Sequence, residues 1–252
     1  MSETEKVALV TGASSGIGQA TALELSRSGY QVAIHYFKNE TGARETFEHI
    51  QRMGRGKARV YACDVSDPTQ VTEFAGNVLE DFGRVDVLVN NAGSLVERRP
   101  LAETDYDLWR RVMSLNLDSY FLVTRSILPH MINRRQGVIV NVASIAGRNG
   151  GGPGAAAYAA AKGAVITLTK GMAKEFIQHG IRVNSVNPGV IQTPFHERFS
   201  SPELFHRFVS AIPQQRAGKS DEVARVIAFL ASDASSHIVG ESIEVNGGML
   251  MD

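Results

Sequence analysis

Tyr158 and Lys162 stand four residues apart in a stretch, Ala155 to Gln178, whose apolar residues recur at three-and-four spacing. That spacing puts phenol and amine on one face of a helix, about a turn apart, where they can act as a unit. A phenol with an ordinary pKa near 10 is a poor base at neutral pH. A neighbouring ammonium favours the phenolate and lowers that value. Ser144 lies 14 residues upstream, directly after the apolar run Val138 to Ala143. A glycine-rich connection (Gly147, Gly150, Gly151, Gly152, Gly154) can turn the chain back toward the end of that run. A hydroxyl donor beside a phenol suits an oxygen on which negative charge develops, and one such donor is worth about 10²–10³ in rate. Asn116, in the helix expected after a fourth strand, supplies a further polar group. The chemistry these residues could perform is proton transfer at a carbonyl or hydroxyl oxygen.

A second group has the chemistry of phosphate binding. The run Val7 to Thr11 passes straight into Gly12-Ala13-Ser14-Ser15-Gly16-Ile17-Gly18 and then into a helical pattern. Glycines there allow a tight turn and close backbone approach, and the free N–H groups of the helix start favour a pyrophosphate. Gly12, Ser14, Ser15, Gly16, Ile17 and Gly18 are the candidate contacts. The T-G-x3-G-x-G spacing matches the general dinucleotide fingerprint in mechanism and context, though not letter for letter. Asn91, Ala92 and Gly93 close the fourth candidate strand on the same edge. Asp64 and Val65 end the third, where Asp64 either accepts from an adenine amino group or caps the next helix. Some twenty residues beyond the glycines, a carboxylate would bond a ribose 2′-hydroxyl. Lys38 stands there instead, which predicts NADP(H), with NAD(H) as the alternative if Glu40 competes.

These residues must be held by elements, and seven short β-branched runs recur with helix-length segments between them. They are Val7 to Thr11, Val32 to Tyr36, Arg59 to Cys63, Val85 to Asn90, Val138 to Ala143, Ile181 to Asn187 and Ser242 to Val245. Gly16 to Ser28, Thr69 to Asp81 and Ala155 to Gln178 read as helices with one buried face. Such alternation predicts an α/β protein: one doubly wound, Rossmann-type domain over residues 1–252, with a seven-stranded parallel sheet flanked by helices. The stretch from about Gln192 to Gln215, broken by Pro194, Pro202 and Pro213, reads as a substrate lid. Its Phe195, Phe199, Phe205 and Phe208 either line a pocket or pin the lid down. His196 and His206 have no metal-ligand spacing, so no metal is expected.

Composition narrows the partners. Lys and Arg number 26, as do Asp and Glu, so net charge points to neither nucleic acid nor an anionic membrane. The single cysteine, Cys63, excludes an internal disulfide and suits a reducing compartment. With a polar, acidic start and no apolar run of about 20 residues, a cytoplasmic protein is expected.

Taken together, Thr11 to Gly18, Asn90 to Gly93, Asn116, Ser144, Tyr158, Lys162 and Asn187-Pro188-Gly189 with Thr193 resemble the short-chain dehydrogenase/reductases over essentially the whole chain, in the family's order. The resemblance implies an NAD(P)-dependent oxidoreductase with Ser144, Tyr158 and Lys162 as catalytic triad. Asn116 would be a fourth member that helps hold a proton-relay water. Lys162 would also bond the ribose, and Pro188, Gly189 and Thr193 would flank the nicotinamide. Ser15 stands where many NADP-preferring relatives carry a second basic residue. The run Tyr158 to Lys162 and the end Val245 to Met251 look most like the 3-oxoacyl-acyl-carrier-protein reductase branch. That implies a homotetramer and a substrate carried on an acidic carrier protein. Arg134 and Arg135 either dock that carrier or balance a helix C-terminus, and His179 replaces a basic residue common in the branch. A sugar or polyol dehydrogenase, and a dinucleotide-sensing regulator without chemistry, share the scaffold.

Overall fold

The computed structural model describes residues 5–54 and 56–251. In chain order the elements begin β1 (Val7–Val10), α1 (Gly16–Arg27), β2 (Gln31–Tyr36), α2 (Glu40–Arg52), β3 (Ala58–Ala62), α3 (Pro68–Phe82) and β4 (Val87–Asn90). They continue through α4 (Tyr106–Met113), α5 (Ser119–Arg134), β5 (Gly137–Val142), α6 (Ala146–Asn149), α7 (Ala156–Phe176) and β6 (Ile181–Pro188). The last are α8 (Pro194–Phe199), α9 (Pro202–Ser210), α10 (Ser220–Ala231) and β7 (Ser242–Val245). All seven strands join one parallel sheet, as the sequence predicts, and their order is β3-β2-β1-β4-β5-β6-β7.

Every residue of β1 and β4 is buried, because helices cover both faces of the sheet. On one face Ala22 and Leu25 of α1, Ile50 of α2, and Val223 and Ile227 of α10 pack on Val10, Val32, Ile34 and Val89. On the other, Val71, Phe74 and Val78 of α3, Val123 and Ile127 of α5, and Met172 of α7 pack on Leu9, Leu88 and Ile139. The strand order reverses between β1 and β4, and the crevice at their carboxyl ends is where a doubly wound sheet takes its ligand.

Local signals set the boundaries. Asp67 caps α3 by accepting from the N–H groups of Thr69 and Gln70, with Pro68 at the first helical position and left-handed Gly83 ending it. Such a cap is worth about 1 kcal/mol. The stretch 192–215 holds two short helices, α8 and α9, each opened by a proline. Among the described residues no helix is long and apolar enough to cross a membrane.

Candidate active site

The glycine turn is held from three sides. Gly12, at φ +66°, donates its N–H to His35 Nδ1 at 3.0 Å, and His35 Nε2 bonds the Cys63 carbonyl at 3.0 Å. With one ring nitrogen accepting, the other must carry the proton, so His35 is neutral. Burial agrees, lowering its pKa to about 4. Asn39 caps α2 through Gly42 and donates to the Ser14 carbonyl at 3.1 Å. From the β4 side, Asn91 donates to the carbonyls of Thr11 (2.8 Å) and Gly12 (3.2 Å), while the Thr11 hydroxyl accepts from the N–H groups of Asn91 and Ala92. A Cβ on Gly12 would lie 3.0 Å from Ala92 Cα, and one on Gly18 would collide with the Gly12 carbonyl oxygen. Ser15 precedes α1 without a side-chain cap, which leaves first-turn N–H groups for a ligand. A backbone cradle that a Cβ would fill, at an uncapped helix start, fits a pyrophosphate.

One cleft of about 1230 Å³ is lined by Gly12, Ser14 to Gly18, Lys38, Asp64, Val65, Asn91 to Gly93, Ser144, Tyr158, Lys162, Pro188, Gly189 and Thr193. Of the candidate residues only Asn116 stays off its wall, fully buried behind it. Asp64 does not cap α3; its carboxylate takes the N–H and hydroxyl of Ser66, while Asp67 is the cap. Glu40 is bound by Arg44 on its own helix at 2.8 and 2.6 Å. Lys38 is exposed, its ammonium 5.0 Å above the Phe37 ring.

At the other end of the cleft, Ser144 follows β5, and α6 folds back so closely that a Cβ on Gly147 would lie 2.7 Å from the backbone of α7. Tyr158 and Ser144 are thereby brought to one wall of the cleft. Burial pushes the Tyr158 phenol up to about 12, and the Ser144 hydroxyl pulls the other way. Lys162, 2% exposed, donates to the Tyr120 hydroxyl and the Val142 carbonyl, both at 2.8 Å. Its ammonium lies 5.8 Å from the centre of the Tyr158 ring, and burial lowers its pKa to about 7. Burial sets the direction of the phenol's shift, and the amine's hydrogen bonds go to Tyr120 and Val142.

Asn116 sits in a π-helical turn, Ser114–Asp118, that joins α4 to α5. Its side chain accepts from Ser94 N–H and donates to the carbonyls of Ser94 and Val112. A Cβ on Gly93 would lie 2.8 Å from Asn116 Oδ1 and 3.3 Å from Lys162 Nζ, so this glycine lets the three groups meet. Gly189 has the same need, since its Cβ would come within 2.8 Å of Asn246.

Residues 12–250 match a family model described as enoyl-(acyl carrier protein) reductase. The chain is 41% identical, over 98% of both chains, to the 3-oxoacyl-[acyl-carrier-protein] reductase FabG of Thermotoga maritima. It is 40% identical to the 3-oxoacyl-[acyl-carrier-protein] reductase of Synechocystis sp. and 39% identical to the FabG of Staphylococcus aureus, each over 98% of both chains. The chain belongs to the short-chain dehydrogenase/reductase family. As a member it is an oxidoreductase that uses a nicotinamide dinucleotide and works between CH–OH and C=O.

Within that family frame, some residues fall away from the site and others join it. Arg134 pairs with Asp86, which precedes β4, and Arg135 donates to the Gln178 carbonyl before β6. Both arginines therefore sit on the amino edge of the sheet, opposite their own chain's cleft, where they tie down the end of α5. Phe195, Phe199 and Phe208 line the cleft, whereas Phe205 packs on His196 and stays off the wall. Phe195 lies 5.8 Å from the Tyr158 ring. Sequence reasoning missed Tyr120, His35, Asn39 and Arg98. Tyr120 stands one turn beyond Asn116, a spacing that could have revealed it. His35 gives no signal within a buried strand.

Proposed function

We propose that this chain reduces 3-oxoacyl thioesters or esters to the 3-hydroxy compounds with NADPH, using Ser144, Tyr158 and Lys162, with Asn116 in support. The observation that carries the reading is that the hydroxyls of Ser144 and Tyr158 line one cleft whose other end is a phosphate cradle. Hydride arriving at a carbonyl carbon leaves charge on its oxygen, and that oxygen ends protonated. Enoyl reduction instead ends with the proton on carbon, so paired donors at one oxygen favour the carbonyl. The named activity of the curated relatives agrees.

When bound, the nicotinamide dinucleotide supplies the hydride. The first turn of α1, with Gly12, Ser14 to Gly18 and Asn91 to Gly93, holds the pyrophosphate side. Asp64 and Val65 take the adenine, and Lys38 meets a 2′-phosphate, since Glu40 is occupied by Arg44. Pro188, Gly189 and Thr193 flank the nicotinamide. Ser144 holds the substrate oxygen by donating to it. Tyr158 keeps its proton at neutral pH, because its pKa is pushed up to about 12, and gives it from Oη to the developing alkoxide. Lys162, fixed by Tyr120 and Val142, bonds the ribose and replenishes the proton. Asn116 keeps the Gly93–Ser94 turn in place. The exposed Phe121, on α5, supports a homotetramer paired through the helical stretches that carry Asn116 and Tyr158.

The test is a substrate panel. Acetoacetyl thioester and ester with NADPH, a crotonyl thioester with NADPH, and aldoses and polyols with NADP⁺ are compared by kcat/KM. The proposal expects the 3-oxo compounds to be turned over fastest. Activity confined to the enoyl thioester or to free sugars would overturn it.

A further inference from the structure

The chain's charges cancel, yet its cleft does not share that balance. Lys38, Arg98, Arg110, Arg111, Lys162 and Arg198 line it against a single carboxylate, Asp64. Lys38 and Lys162 face the dinucleotide in the reading above. Arg98 has no such role. Its Nε donates to the Phe199 carbonyl at 2.8 Å and its Nη1 to the Pro153 carbonyl, so both bonds go to neutral backbone. Among the described residues no carboxylate pairs with it. Neighbouring Glu97 and Asp105 are taken by Arg99, and Glu197 is exposed. A guanidinium carries five N–H donors, and here Nη2 bonds no described group. Partly buried charge of this kind is costly unless a counter-charge arrives.

Its position gives the arrangement meaning. From Tyr158 the wall runs to the Phe195 ring at 5.8 Å and on to Phe199, 5.2 Å beyond. Arg98 is bound to the backbone of that same Phe199. His196, against the Phe195 and Phe205 rings, is kept neutral by burial and by the charge of Arg98, with its pKa lowered to about 4. The cleft thus reads, in order, a proton donor, an apolar stretch and a cationic end, with Arg98 partly buried on the Phe199 carbonyl and the exposed Arg198 5.1 Å from the Phe199 ring.

We infer that Arg98 is a specificity residue that pairs with an anionic group carried by the oxo substrate, several bonds from the carbonyl. The inference rests on the carbonyl-reductase reading and names a substrate class within it. A carboxylate of the substrate and the phosphate of a carrier's pantetheine arm share the required chemistry, since a guanidinium takes either through two parallel bonds.

The experiment measures kcat/KM with NADPH for four probes: a free oxo acid, its neutral methyl ester, a pantetheine thioester and the corresponding 4′-phosphopantetheine thioester. Wild type is compared with Arg98→Gln and Arg98→Lys. The expected result is a preference for the anionic member of at least one pair, acid over ester or phosphorylated over unphosphorylated arm. The pair that shows it identifies the source. Arg98→Gln should shrink that preference roughly ten- to a hundredfold, Arg98→Lys should keep most of it, and added salt should weaken it. A structural role, holding Phe199 and Pro153, would lower both members of each pair alike and leave the ratio fixed. Equal use of charged and neutral members by wild type, or a ratio untouched by Arg98→Gln, overturns the inference while the carbonyl-reductase reading stands. Reduction of none of the four would overturn both.

Discussion

The two ends of the cleft are built by different means. At the glycine turn, hydrogen bonds from His35, Asn39, Asn91 and Thr11 fix the backbone on every side. At the aromatic end, Phe195, Phe199 and His196 meet through ring contacts, and Arg98 ties the segment to Pro153. Directional bonds hold one geometry, while apolar contacts tolerate repacking. The first end suits a ligand of constant shape, and the second suits a substrate whose chain varies.

The most damaging change to this contrast is at the rigid end. Gly18→Ala drives a methyl group into the Gly12 carbonyl, and a displacement of this kind costs on the order of a hundredfold or more. NADPH titration should show that loss in affinity. Replacing Phe208 with Leu should instead alter only the relative rates of long and short acyl substrates. Equal tolerance at both positions would erase the distinction.

Ser144→Ala tests the junction between the two ends. It removes one donor to the substrate oxygen, so kcat should fall about 10²–10³-fold with little change in NADPH binding.

Lys38→Asp probes the adenosine end. In wild type the exposed lysine should favour NADPH over NADH by about ten- to thirtyfold in kcat/KM, a preference that salt weakens. The substitution should invert it by adding repulsion where there was attraction. Equal use of the two cofactors by wild type would show that this loop does not read the phosphate.

The last effect is on stability rather than on catalysis. The pKa of His35 is depressed from 6.5 to about 4 by burial, so between those values the unfolded chain binds the extra proton. Stability is therefore constant above pH 6.5, falls as pH drops from there toward 4, and levels off below; the span is on the order of 3 kcal/mol. His196 acts in the same direction at the aromatic end. Urea unfolding at pH 7 and pH 4.5 should show the fall in wild type. His35→Asn should lessen it and also weaken NADPH binding, whereas His196→Phe should lessen it without that loss.

The sequence makes the sheet legible because each strand is a short β-branched run and both faces are covered, while the strand order appears only in the packed chain. Tyr158, Lys162 and Ser144 are legible for a similar reason: helical spacing and a strand end place them regardless of detail. What escaped depends on distance in the chain. The Tyr120 hydroxyl lies 42 residues from the amine it holds, and Arg98 lies 101 residues from the Phe199 carbonyl it binds. The environment of Lys162 escaped as well. Charge proximity suggests a lowered phenol pKa, but how deeply phenol and amine are buried appears only when the side chains are packed. Arg134 and Arg135 show the converse, a basic pair whose bonds to Asp86 and the Gln178 carbonyl appear only once the sheet edge is formed.

The central claim is that Tyr158 supplies the proton at a site built separately from the cofactor cradle. Tyr158→Phe tests it directly, with acetoacetyl thioester turnover and NADPH titration measured on the same preparation. The account predicts that turnover falls about 10²–10⁴-fold while NADPH affinity stays close to wild type. A variant that retains about a third of wild-type turnover, against that expected general-acid contribution, would contradict it.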